Sequence, residues 1–270
     1  MQNAYQMIAL DLDGTLTNSE KIITPDTFHA LMRAQEQGVR LVLASGRPTY
    51  GILPLAKQLQ MERYGGYILA YNGGKIIECS SQRILFQQTL PSDQLHRVFE
   101  LADLYHLAAL TYENESILTE YPEDPYVQIE AQINHLSVKQ VVHLNEAVYF
   151  PVVKCLIVGE EQYLAQVEPE IREKLGADFD VYRSAPFFLE IVPRGIDKGA
   201  SLERLLQAVR MHREQLIAFG DGYNDGTMIR YAGLGVAMEN GVEAVKKEAD
   251  FITRSNEEDG VAYALEQFLF

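Results

Sequence analysis

The apolar stretch "IALDLDGTLT" (8–17) stops on two aspartates, Asp11 and Asp13, with one leucine between them. Like charges at the end of a buried run repel each other, and a core strand has no use for them. Similar endings recur along the chain. "QLIAFG" (215–220) runs into Asp221, with Asn224 and Asp225 just beyond. "VRLVLA" (39–44) runs into Ser45, Gly46 and Arg47, "GYILA" (66–70) is followed closely by Asn72-Gly73-Gly74, and Lys198 opens a helical-looking segment. Clustered carboxylates tolerate each other when a hard divalent cation sits among them. Mg²⁺ prefers oxygen ligands and keeps several waters, so it needs few carboxylates plus a substrate phosphate. These are the residue types a phosphate and metal site requires.

Such distant residues meet only if a fold brings them to one edge. Short apolar runs alternate with helical segments in the first and last thirds, which predicts a parallel sheet covered by helices on both faces. The strands expected are 7–10, 39–44, 66–70, 215–220, 234–238 and 250–253. The helices are 24–38, 48–61, 197–211, 223–233 and 259–270, the first with Pro25 at its start and Gly38 at its end. In open α/β sheets, ligands bind outside the carboxyl ends of the strands, where these polar residues fall. The middle is richer in Tyr and Glu, with strands at 152–159 and 187–193 and a helix at 160–176 that Pro169 threatens to break or kink. The expected architecture is a split α/β domain, 1–83 and 188–270, with an α+β domain, 84–187, inserted into it.

Composition narrows the partners. The chain has 270 residues, 47% of them hydrophobic and 23% charged, as expected of a soluble globular protein. A formal net charge of −15 argues against nucleic acid, whose phosphates need clustered Lys and Arg. An anionic small substrate would need a local cationic site to overcome the overall repulsion. The two cysteines, Cys79 and Cys155, lie far apart and suit a reducing cytoplasm without structural disulfides. No signal peptide and no membrane helix are expected. A monomer or a weak homo-oligomer is the expected state.

Four stretches together, "DLDGTL" (11–16), "ASGR" (44–47), "GIDKG" (195–199) and "GDGYND" (220–225), resemble the motif set of haloacid-dehalogenase-superfamily phosphatases of the Cof-like, type-IIB-capped group. "NGG" (72–74), "FLEIVPRG" (188–195) and "EEDGVA" (257–262) are similar to other stretches of that group. The resemblance implies a Rossmann-like core with a parallel sheet and an inserted cap that closes over the site and sets specificity. It implies Asp11 as a nucleophile giving an aspartyl-phosphate, and Asp13 as the acid and base that protonates the leaving oxygen and then activates water. Lys198 would neutralise nucleophile and phosphoryl charge, and Ser45 with a neighbouring N–H would hold the phosphoryl oxygens. The metal ligands implied are Asp11, Asp221 and the Asp13 carbonyl, with Asp225 completing or orienting the shell. Asn224 is an implied phosphate or substrate contact. Gly46, Arg47 and Asn72 stand as phosphate-loop candidates, the last two either contacting substrate or holding their loops. Gly14 and Gly222 fit a need for close backbone approach. In the cap, Arg183 and the tyrosines are candidate contacts. Small phosphate esters, sugar phosphates first, are the implied substrates.

Other readings fail on spacing. "DGYNDG" (221–226) has Tyr223 and Ala232 where a calcium loop needs oxygen ligands. The glycines of "GDGYNDG" are misplaced for a dinucleotide loop, and "GGK" (73–75) is followed by Ile76, so it is no P-loop. The six histidines show no zinc spacing. The rivals that remain are a phosphomutase of the phosphomannomutase type and a non-catalytic phosphate sensor. The intact Asp11, Asp13, Lys198 and Asp221 set argues against the sensor.

Overall fold

The computed structural model describes residues 4–270, which form two compact units. One comprises the chain up to Phe86 together with Asp197–Phe270; the other is Gln87–Ile196. The first opens with strands β1 (Met7–Leu10), β2 (Arg40–Ala44), β3 (Tyr67–Ala70), β4 (Lys75–Glu78) and β5 (Ile84–Gln87). The second contains β6 (Ala108–Glu113), β7 (Ser116–Thr119), β8 (Ser137–Gln140), β9 (Cys155–Val158), β10 (Phe179–Ala185) and β11 (Phe188–Pro193). The chain then returns to the first with β12 (Leu216–Gly220), β13 (Leu234–Ala237) and β14 (Phe251–Ile252).

The core sheet has the order β14-β13-β12-β1-β2-β3-β4-β5. Pairings from β14 through β3 are parallel. β4 turns back antiparallel on β3, so the sheet is mixed at that end. The strands β1, β3, β12 and β13 are buried along their whole length, which is why they read as continuous apolar runs. Leu10 lies level with Leu43 on one side and Phe219 on the other. Strand order therefore reverses at β1, and the crevice at that switch point is where the polar ends of β1, β2 and β12 converge.

Local chemistry accounts for most element ends. Helix Pro25–Glu36 starts on Pro25, whose missing N–H would have no intrahelical partner anyway. It is followed by Gly38 at φ +90°. The helix expected over 48–61 is two, Thr49–Gln58 and Met61–Tyr64, because Gln60 between them is left-handed at φ 51°. Helix Lys198–Ala208 is capped by Asp197, whose carboxylate accepts from the Ala200 N–H.

The second unit is an α+β cap with the strand order β10-β11-β9-β6-β7-β8, antiparallel apart from β7–β8. Helices Leu95–Leu104 and Glu161–Leu175 send Val98, Phe99, Leu164 and Ile171 into one core with Ile157, Leu189 and Ile191 of the sheet. Pro169 does not break the second of these helices, since Leu164, Val167, Ile171 and Leu175 keep it seated on that core. Strand β11, which the sequence reading assigned to the first unit, pairs with β9 and β10 and buries all six residues there. Residues 84–86 in turn belong to the core sheet. Both cysteines are free and buried. Among the described residues, no helix is long and apolar enough to cross a membrane.

Candidate active site

The switch point at the end of β1 gathers three carboxylates. One ligand atom from each of Asp11, Asp221 and Asp225 lies within 4.8 Å of the others. Each has a fixed mooring. The Asp11 N–H donates to the Phe219 carbonyl at 3.0 Å, continuing the β1–β12 ladder by one rung. Asp225 Oδ2 accepts from the N–H groups of Asp221 (2.9 Å) and Gly222 (2.8 Å), which locks the loop after β12. Asp221 Oδ1 accepts from the Thr15 hydroxyl at 2.7 Å.

Lys198 lies in the middle, with no exposed surface. Its ammonium donates to Asp11 Oδ1 at 2.5 Å and to Asp225 Oδ1 at 2.6 Å. Burial alone would lower its pKa, but the two carboxylates outweigh burial and raise it. One ammonium does not neutralise three carboxylates. Burial, reinforced by the charge of Asp225, pushes Asp11 up to about 8. Burial pushes Asp221 up to about 6, against the Thr15 hydrogen bond and again with the charge of Asp225 behind it. Among the described residues, no donor meets Asp11 Oδ2 or Asp221 Oδ2. A surplus of buried negative charge with uncommitted hard oxygens fits a divalent cation. Asp225 fits a supporting role, since both its oxygens are already engaged.

Gly14 explains how the first loop comes so close. Its φ is +88°, and a Cβ there would sit 2.4 Å from Asp221 Oδ2. The two aspartates of the opening motif have different partners. Regular strand geometry ends at Leu10, before either aspartate. Asp11 faces Lys198, whereas the Asp13 side chain lies outside the carboxylate cluster. Arg47 grips Asp13 with Nε to Oδ2 at 2.8 Å and a terminal nitrogen to Oδ1 at 2.5 Å, and Lys21 reaches Oδ1 at 2.7 Å. Burial works against ionisation here, but the hydrogen bonds and charges of Arg47 and then Lys21 hold Asp13 below the usual carboxylate range.

The remaining candidates line neighbouring strand ends. Ser45 is buried after β2, its N–H donating to Leu69 O at 2.9 Å and its hydroxyl accepting from the Arg47 N–H at 3.1 Å. Asn72, left-handed at φ 55°, donates its N–H to the Ser45 carbonyl at 2.8 Å and accepts from Asn224 Nδ2 at 3.0 Å. That contact ties the loop after β3 to the loop after β12. Gly46 packs closely on Asn72, since a Cβ there would sit 3.2 Å from the Asn72 amide. In the cap, Arg183 pairs with Glu168 at 2.7 Å.

Three contributors escaped the sequence reading. Thr15 orients Asp221 from inside the quoted motif. Asn240 donates to the Gly14 carbonyl at 2.8 Å from just past β13, where the strand-end rule could have found it. Lys21 carries no spacing signal at all.

A sequence profile of haloacid dehalogenase-like hydrolases matches residues 8–265. The fold superposes with a TM-score of 0.95 on a crystal structure of a haloacid dehalogenase-like hydrolase from Bacteroides thetaiotaomicron, 51% identical, with 97% of this chain and 99% of that one covered. It is also similar, at 25% identity and a TM-score of 0.82 over 97% and 98% of the chains, to the subclass IIB sugar phosphatase BT4131. A Bacillus subtilis relative, the 5-amino-6-(5-phospho-D-ribitylamino)uracil phosphatase YitU, is 29% identical with 99% of each chain covered. With the buried Asp–Lys–Asp arrangement at the switch point and a family match over nearly its whole length, the chain belongs to the haloacid dehalogenase-like hydrolases, as a phosphatase of the Cof-like, type-IIB-capped group.

Proposed function

We propose that the protein hydrolyses small phosphomonoesters, sugar phosphates first, with Mg²⁺ and through an aspartyl-phosphate on Asp11. The observation that carries this reading is the fully buried Lys198 between Asp11 and Asp225, beside two carboxylate oxygens that no donor among the described residues meets. Asp11 attacks phosphorus. Lys198 offsets the charge that builds on nucleophile and phosphoryl group, where preorganised electrostatics contribute most. Ser45 supplies a hydroxyl to the phosphoryl oxygens, and Asn224 and Asn72 border the same space. Asp13, ionised at rest beside Arg47 and Lys21, must exchange those partners for a proton before it can give one to the leaving oxygen as the P–O bond breaks; it then takes one from the water that releases phosphate. Mg²⁺, held by Asp11, Asp221 and the Asp13 carbonyl and oriented through Asp225, would supply charge neutralisation for the phosphoryl oxygens. The sugar-phosphate preference follows the similar subclass IIB enzyme named for that activity. The test is release of phosphate from p-nitrophenyl phosphate and a sugar-phosphate panel by the purified protein. Activity should require Mg²⁺ and vanish in Asp11→Asn; no release from any of these esters would sink the reading.

A further inference from the structure

We propose that Asn240 is a positioning residue for the candidate metal site, acting through Thr15 on the carboxylate of Asp221. The inference rests on the Mg²⁺ reading given above. The Asn240 side chain lies between two backbone groups of opposite kind. Its Nδ2 donates to the Gly14 carbonyl at 2.8 Å, and its Oδ1 accepts from the Asn256 N–H at 3.0 Å. A carbonyl takes only a donor and an N–H only an acceptor, so the amide fits just one way round. Aspartate would lose the donor, and an aliphatic side chain would lose both bonds.

What Asn240 holds is the peptide that joins Gly14 to Thr15. Gly14 sits at φ +88°, where glycine turns freely. On the other side of this peptide, the Thr15 N–H reaches the Leu12 carbonyl only at 3.4 Å, a long bond. That carbonyl already accepts the Thr17 N–H and the Thr17 hydroxyl, both at 2.9 Å. The 2.8 Å bond from Asn240 is therefore the firmer hold on the plane of the peptide. Asp221 is touched from both ends of the same peptide. The Thr15 hydroxyl donates to Asp221 Oδ1 at 2.7 Å, and Gly14 lies so close that a Cβ there would be 2.4 Å from Oδ2. A tilt of the peptide would move both contacts together. The loop that carries Asn240 is in turn mounted on the backbone of Asp221. The Val242 N–H donates to the Asp221 carbonyl at 2.9 Å, and a Cβ on Gly241 would sit 3.1 Å from the Asp221 Cα. Asn240 thus sets the spacing between the loop after β1 and the loop after β12, which supply the implied ligands Asp11, the Asp13 carbonyl and Asp221. Supports of this kind orient a ligand before the cation arrives, and losing one typically weakens metal binding by about 10- to 100-fold.

The test reads metal binding directly, by isothermal titration calorimetry of Mg²⁺ into the EDTA-stripped full chain. Asn240→Ala should raise the Mg²⁺ Kd about tenfold, and Thr15→Val should do the same. The double variant should be no worse than Thr15→Val alone, because both changes cut one route. Asn256→Ala serves as the control. It removes the bond from Asn256 Nδ2 to the Thr17 carbonyl at 2.9 Å, leaves the backbone N–H on Asn240, and should keep Kd within about twofold of wild type. An unchanged Kd in Asn240→Ala would overturn the proposal, as a surface bond without consequence for the site. Losses that multiply to about a hundredfold in the double variant would overturn it too, since Asn240 would then act by a route that bypasses Thr15. A loss of about tenfold in Asn256→Ala would overturn it as well, as a general loosening of the surrounding loops. A wild-type chain that takes up no Mg²⁺ would instead sink the metal reading, and the proposal with it.

Discussion

Each unit of the molecule buries one lysine beside carboxylates, and the two surroundings differ in kind. In the cap, Lys154 meets Glu190 Oε1 at 3.2 Å, and Tyr182 donates its hydroxyl to the other oxygen at 3.2 Å. The nearby buried Glu130 is met by the Tyr112 hydroxyl (2.6 Å) and Asn134 Nδ2 (2.8 Å), and Lys154 lies 5.6 Å from the Tyr112 ring centroid. Neutral donors share the load around these carboxylates, although Asn134 Oδ1 is itself buried without a hydrogen-bond partner among the described residues. In the core, Lys198 stands among three carboxylates, two of which retain an oxygen that no donor among the described residues meets. In the cap, both Glu190 oxygens have a donor. The core arrangement leaves uncommitted carboxylate oxygens of the kind a divalent cation takes, and that surplus separates a candidate site from a structural pair.

The sharpest break between the two lysines is in catalysis. Lys198→Met should lower kcat/KM for p-nitrophenyl phosphate on the order of 10³-fold or more, because the loss falls on charge that develops in the transition state. Asp11→Asn should match it or exceed it, and the double variant should be little worse than either alone, as expected for residues that act as a unit. A sum of the two losses would count against a shared step.

Stability should show the cap lysine for what it is. Lys154→Met leaves Glu190 buried without its cation and should cost about 3 kcal/mol, read as a lower urea midpoint. Lys154→Met combined with Glu190→Leu should restore most of that stability, because an apolar pair can replace a buried ion pair. Failure of the double variant to recover would mean that Lys154 answers to more than Glu190.

How far this contrast was legible in the sequence depends on what makes each residue visible. Asp11, Asp221 and Lys198 stand directly after apolar runs or at a helix start, so local pattern and the strand-end rule located them. β11 was misplaced for the converse reason: "FLEIVP" reads as a buried strand in either sheet, and only complementarity with β9 and β10 decides which. Lys154 and Glu190 could not be paired from the sequence, since 36 residues separate them and, although Glu190 lies within "FLEIVPRG", no motif marks Lys154. The antiparallel turn-back of β4 follows the short loop at Asn72–Gly74, too short for a parallel crossover; the sequence reading extracted only a possible phosphate loop there. The Lys21–Asp13 contact depends on a left-handed turn, whose flanks Ser19 and Thr17 bond Glu257 and Asn256, and no local pattern encodes it.

A smaller effect probes the uncommitted oxygens through their supports. Thr15→Val removes the hydroxyl that fixes Asp221 Oδ1 and should raise the Mg²⁺ concentration for half-maximal activity about tenfold, with kcat at saturating metal nearly unchanged. An unaltered metal dependence would mean that Asp221 is held by its backbone alone.

The smallest expected effect is also the most specific to the surplus charge, and it appears in the pH dependence of melting. Asp11 is raised to about 8 and Asp221 to about 6, both well above the 3.8 of an unperturbed Asp. A carboxyl whose folded pKa is raised binds its proton more tightly when folded. The ion-free protein should therefore lose stability as pH climbs from about 4, first through the Asp221 value and then toward the Asp11 value. A cation among the carboxylates removes that penalty, but below those values it must displace protons to bind. The melting-temperature gain from Mg²⁺ over EDTA should consequently grow from pH 5 to pH 8, by on the order of 3 °C. In the cap, Lys154→Met with Glu190→Leu should leave this growth intact, since neither residue belongs to the carboxylate cluster. In the core, Asp11→Asn should flatten it, because the group with the highest raised value is gone. A metal-induced gain that is the same at pH 5 and pH 8 in the wild type would show that the carboxylates at the end of β1 are already ionised, and that Lys198 alone is enough to hold them so.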